Sequence, residues 1–130
     1  MQELHALAAA DPERIDTTLL IHPQVLNDFF AFNDFLALAD AALEHWGLEG
    51  EIQIASFHPH YQFAGSAADD ICNFSNRSPH PTLHLLREAS VERALAASPD
   101  AATIYERNIE TLKRLGHRGW VGLGIRTGAI

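Results

Sequence analysis

Between Pro23 and Trp46 the chain keeps one amphipathic rhythm, and two short apolar runs flank it. Phe29, Phe32, Leu36, Ala39, Leu43 and Trp46 recur at alternating spacings of three and four, which places them on one face of a helix. Asn33, Asp34, Asp40, Glu44 and His45 gather on the other side. Pro23 suits the first helical position, where no amide donor is needed, and Gly47 suits the stop. Thr17–Ile21 reads as a short buried strand before the helix, and Glu51–Phe57 as a second strand after it. Strand, long helix, strand is a βαβ unit, whose natural solution is two parallel strands joined by a right-handed crossover. The expected fold is an α/β (or α+β) domain: a small sheet containing that unit, with about four helices packed on it.

The remaining segments fit around this unit. Gln2–Ala10 reads as a short Leu/Ala helix stopped by Asp11-Pro12, like the tail of a helix that begins upstream. Residues 59–80 form a long polar loop, of a length usually tied to function or mobility. Pro81 is expected in the first turn of a helix reaching Ala97, and a last helix runs from about Asp100–Thr103 to Gly116. Trp120 is a docking anchor, and 121–130 a flexible tail. The 130 residues read as a single domain, 1–130.

Nine Lys and Arg against seventeen Asp and Glu give a formal charge of −8. Nucleic acid and anionic membranes bind through clustered cations, so neither is expected as a partner. No secretion signal or membrane-length apolar run is present, which makes the cytoplasm the default location. The one cysteine, Cys72, excludes an intrachain disulfide.

Four phrases carry a resemblance: TTLLIHPQVLNDFFAFNDFL, IASFHPHYQFAG, NRSPHPTLHLLREASVERAL and YERNIETLKRLG. They resemble a bacterial family known only as domain of unknown function fourteen-fifteen, over roughly Asp16 to Trp120. Members of that family begin several dozen residues earlier, with a strand region containing an Asn-Leu-Cys-Pro-Phe type stretch. The resemblance therefore implies either a misplaced start or a shortened member lacking that N-terminal strand region, the latter with one sheet edge exposed. The family usually has Asp where this chain has His60, and Tyr where it has His80. The resemblance implies no activity.

The residues suited to chemistry lie between Glu51 and Glu88, with His22 beside them. His22 and His58 each end an expected strand, so both fall at the carboxyl edge of the sheet, where open α/β folds place ligands. His84 and Glu88, four apart on one expected helix, share a face. Imidazole and carboxylate suit a divalent metal such as zinc, which makes His58, His60, His84 and Glu88 the candidate metal ligands. His58 with Glu88 is the candidate acid–base pair, since histidine titrates near neutrality. His22, Tyr61, Gln62 and Arg77 are the candidate substrate-binding residues. The free amides of a helix starting at Pro23, next to His22, would favour an anion, and Arg77 would supply a bidentate fork. Arg77 tying the loop to a carboxylate or a backbone carbonyl is the competing reading.

Two functions follow from these residues. One is a small-molecule enzyme, metal-assisted or not, acting on a polar or anionic substrate at the His22/His58/His84 edge. The other is a non-catalytic ligand-binding or protein-interaction module. In the second, Phe30, which falls among the polar helix positions, is buried by a partner or in a homo-oligomer.

Overall fold

The computed structural model describes residues 2–98, 100 and 103–125. The chain forms α1 (Gln2–Ala9), β1 (Thr17–Ile21), α2 (Phe29–His45) and β2 (Ile52–Phe57). A 3-10 turn (Ile71–Asn76), β3 (Thr82–Arg87), α3 (Glu88–Ala97) and α4 (Ile104–Gly122) follow. Among the described residues the strands make one sheet in the order β1-β3-β2. β3 runs antiparallel to both neighbours. The architecture is α+β.

β1 and β2 run in the same direction, as the strand–helix–strand reading requires, but they are not neighbours. β3 lies between them, so the expected adjacent parallel pair is corrected to a split one. The difference arises after Pro81. Residues 82–87 carry mostly good helix formers, and the expected helix from Pro81 to Ala97 absorbed them. They form the central strand instead, and the helix starts only at Glu88. A central position overrides propensity because each side of the strand is completed by a ladder and its inner face is buried. Leu83, Leu85 and Arg87 alternate as that buried face.

α2 starts at Phe29, six residues later than Pro23. Asp28 caps it with extended backbone, its Oδ2 accepting the Ala31 amide at 2.9 Å. At the other end Gly47, with φ 65°, permits the left-handed stop. Its amide donates to the Glu44 carbonyl at 3.1 Å, and the Leu48 amide donates to that of Leu43 at 2.9 Å. This is a Schellman closure, with Leu43 and Leu48 both buried. Phe32 is wholly buried on the inner face of α2, whereas Phe30 is 78% exposed.

The core gathers Leu4 and Leu7 of α1, Leu43 of α2, Leu48, Ile52 of β2 and Leu85 of β3. Buried among these elements is Arg87, only 8% exposed. Its guanidinium donates to the Leu7 carbonyl at 2.7 Å and to those of Ala10 and Ile15 at 3.0 Å. A cation there satisfies the free carbonyls at the end of α1 and meets the negative end of its dipole. One side chain thus holds α1, the following turn and β3 together.

α4 changes direction at Gly116, whose φ of 68° and ψ of 175° are not helical. The segment beyond it returns to the 3-10 turn: Trp120 and His117 pack edge-on against Phe74, with ring centroids 5.2 and 5.3 Å apart. Trp120 is therefore an anchor, as its position suggested. Of the helix start expected at Asp100–Thr103, residues 101–102 lie outside the described residues, and α4 begins at Ile104; of the tail expected over 121–130, residues 126–130 lie outside them. Among the described residues no helix is long and apolar enough to cross a membrane.

Removing Arg87 would leave several buried carbonyls without a donor. Arg87→Met is expected to cost about 3 kcal/mol of unfolding free energy. Arg87→Lys, with a single ammonium in place of the fork, is expected to recover only part of it. The urea midpoint of each variant measures both effects.

Candidate functional site

The carboxyl ends of β1 and β2 meet at one end of the sheet. Ile21 and Phe57 both pair with Thr82, the first residue of β3. His22 and His58 follow those residues, so the expected common edge is present. β3 separates them, which sets their backbones roughly 10 Å apart at two strand spacings. The His22 amide donates to the Pro81 carbonyl at 2.9 Å. Its ring faces Phe35 with centroids 6.5 Å apart, and its Nε2 is buried with no hydrogen-bond partner among the described residues.

His58 is fully buried. Its Nε2 lies 3.0 Å from the Leu26 carbonyl, and the His60 amide donates to its Nδ1 at 2.9 Å. A carbonyl can only accept and an amide can only donate, so His58 is neutral with its proton on Nε2. Both ring nitrogens are engaged by backbone. Burial, with smaller contributions from the His60 and Arg77 charges, pushes its pKa below the ordinary 6.5. The ring also packs against Phe32 and Phe29, centroids 5.0 and 5.3 Å away. Leu26 has a φ of 62°, the one positive value among the described non-glycine residues. That left-handed turn, which costs about 1–2 kcal/mol for an L-residue, is held by the bond from His58.

The loop after His58 is ordered by side chains that act as backbone partners. Wholly buried Asn73 accepts from the Phe63 amide at 2.9 Å and from the Ser66 hydroxyl at 2.8 Å, and it donates to the Ala67 carbonyl at 2.8 Å. Asn76 donates to the Ser56 carbonyl at 3.0 Å, and its own carbonyl accepts the His58 amide at 3.0 Å. Asp70 caps the 3-10 turn by accepting the Cys72 amide, which holds its carboxyl below the usual 3.8. Arg77 donates to the carbonyls of Tyr61 (2.8 Å), Ala68 (3.0 Å) and Pro59 (3.2 Å) and lies 4.6 Å above the Phe74 ring. It is a clamp on the loop, in line with the carbonyl-binding reading.

Against the start of α2 this loop borders an open cleft of about 600 Å³, lined by Asn27, Asp28, Phe29, Phe30, His60, Gln62, Ala68 and Arg77. A second hollow of about 450 Å³ adjoins it across Phe29, Phe30 and Gln62, and is bounded by Tyr61 and Asn33. Exposed Phe30 stands between the two. Gln62 is fixed by donating to the Ser66 carbonyl at 2.8 Å, and Tyr61 packs against Phe29 and Phe63.

Four of the expected residues thus share this region: His60, Tyr61, Gln62 and Arg77. His58 lies directly behind them, against Phe29 and His60, and the others do not join them. Glu88 is not on a helix face with His84; its amide donates to the Glu51 carbonyl at the opposite end of β2 from His58. The length of β2 puts the two roughly 20 Å apart, which separates the expected acid–base pair. His84 sits in mid-sheet opposite Leu19 and Ala55, with its Nε2 2.5 Å from the Thr17 hydroxyl. The quartet His58, His60, His84 and Glu88 is therefore dispersed. Among the described residues no three His, Cys, Asp or Glu side chains are grouped to hold a metal ion. The anion reading of the Pro23 start is also corrected: the helix begins at Phe29, and the Asp28 carboxylate already occupies its N-terminus. Asn73 reads in the sequence only as one of the loop's turn formers, and its place as the buried hub is not legible there, although Asp70 three residues ahead is a capping signal. Asn27-Asp28 directly before Phe29 was likewise a legible start for α2.

A family model described as a protein of unknown function (DUF1415) matches residues 1–122. No curated protein and no solved structure matches the chain.

The neutral state of His58 has a consequence in acid. Between its lowered folded pKa and the ordinary 6.5 the unfolded chain binds more protons, so stability rises with pH. The contribution is complete above 6.5 and is lost as pH falls through the folded value. Asp70 acts in a separate window, since its contribution is lost only below 3.8. Thermal unfolding at pH 7 and pH 5.5 is expected to show a drop in Tm for the native protein. His58→Gln, which cannot be protonated, starts lower and shows a smaller drop.

Proposed function

The chain belongs to the family described as a protein of unknown function (DUF1415), which carries no assigned chemistry, and we propose that it is a ligand-binding module whose site is the cleft between the start of α2 and the Asn73-ordered loop. The observation that carries this reading is the pairing of an exposed aromatic ring with a braced cleft that mixes apolar and polar walls. Phe30 is 78% exposed at the joint of two hollows, and the opposing wall is fixed by Asn73 and Arg77. Small-molecule sites commonly have this form: a volume of several hundred Å³, an apolar surface and a few convergent polar groups.

The ligand suited to these walls is a small polar molecule with a flat apolar part. The flat part lies on Phe30, and the polar part meets His60, Asn27 and Asp28. A wholly anionic ligand is disfavoured, since Asp28 lines the cleft and Arg77 directs much of its fork at backbone carbonyls. Catalysis is not part of the proposal, because His58 has both nitrogens bonded to backbone and Glu88 lies at the far end of the sheet.

Amide spectra of labelled protein, titrated with aromatic amino acids, nucleosides and dicarboxylates, test the reading. Shifts confined to residues 27–30 and 60–62 are expected with a ring-bearing polar compound. Phe30→Ala should weaken binding about tenfold or more, the loss of one large aromatic contact, with Tm unchanged. No localised shift with any compound, or shifts indifferent to Phe30→Ala, would refute it. A homodimer dissolved by Phe30→Asp would assign the ring to a protein interface instead.

A further inference from the structure

We propose a second binding site, on the other side of α2, for a lipophilic amine. Between α1, α2 and the inner face of the sheet lies a cavity of about 460 Å³. Its walls are apolar: Leu4 of α1, Phe35, Leu38 and Ala42 of α2, and Ile54 and Leu83 of the sheet. The cavity exists because α2 carries alanine where it faces the sheet, at Ala39 and Ala42, so the helix does not fill the space above β2 and β3. It opens to solvent past Leu38, which is 67% exposed. A space of this size and lining is in the range of small-molecule sites.

The charge at the mouth selects the ligand. The ionisable side chains lining the cavity are Glu3, in the first turn of α1, and His45, in the last turn of α2. Glu3 brings a carboxylate, and the carboxyl end of α2 brings the negative pole of a helix dipole. No Lys or Arg lines the cavity. The formal charge of −8 adds a long-range field of the same sign. An apolar body with a protonated nitrogen therefore complements the site: the chain enters between α2 and the sheet, and the nitrogen stays at the mouth near Glu3. A fatty carboxylate of the same shape meets repulsion there. The Phe30 cleft shares none of these residues, so this site stands independently of the reading given above.

Decylamine, decanol and decanoate, titrated calorimetrically into the full chain below their micellar concentrations, test the proposal. Decylamine should bind saturably at one site, decanoate about tenfold more weakly, and decanol between them. Glu3→Gln should weaken decylamine about threefold and leave decanol unchanged. Ala42→Phe, which fills the cavity, should abolish binding; if it does not fold, Ala41→Trp at the exposed rim blocks the mouth without entering the core. Absence of saturable binding, equal affinity for amine and carboxylate, or binding that survives the blocking substitution overturns the proposal. So does a homodimer in sedimentation that Leu38→Gln dissolves, since a second copy would then fill the groove.

Discussion

The site end of the molecule depends on one buried imidazole. His58 leaves β2 and immediately bonds the Leu26 carbonyl on one side and the His60 amide on the other. The first bond holds the left-handed turn that leads into α2. The second starts the loop that faces α2. Its own amide, accepted by Asn76, fixes where that loop returns. A neutral histidine suits this task because it offers one donor and one acceptor in a rigid ring. An aliphatic side chain of similar size would fill the space but leave the Leu26 carbonyl and the His60 amide without partners. The His-Pro pairs look like chemistry in the sequence, and at position 58 the pair is architecture.

Arg87 plays the matching part at the other end of the sheet, gathering the carbonyls of Leu7, Ala10 and Ile15. Arg77 does the same in the loop. Both cations pair with backbone carbonyls rather than carboxylates. A guanidinium can satisfy several carbonyls at once, so it organises irregular chain where no ladder is available. The long loop is ordered in this way, by side chains that replace the hydrogen bonds a strand or helix would have made.

This division clarifies which residues remain free to act. Most buried polar groups of the loop are committed to backbone partners. The side chains exposed at the α2 end, Phe30 and His60, are not needed for packing. Phe30 is a large ring at a helix position where a polar residue would serve stability equally well. On the opposite face of α2 the alanines leave unfilled volume beneath the helix. The hollows therefore lie beside α2, two adjoining at its start and one along its inner face.

The sequence by itself determined α2 and its Gly47 stop, the two strands that flank it, the break at Gly116 and the shared edge of His22 and His58. These follow from local period, capping chemistry and the common direction of two strands joined by a helix. It also placed His60, Tyr61, Gln62 and Arg77 in one loop. Only the tertiary structure decided that Thr82–Arg87 is the central strand, because that assignment depends on ladders to residues dozens of positions away and not on the segment's own propensity. From that insertion follow the separation of Glu88 from His58, the dispersal of the metal quartet and the burial of Arg87. The proton on His58 was likewise settled by distant backbone groups, the Leu26 carbonyl above all, which spacing along a chain cannot bring into view.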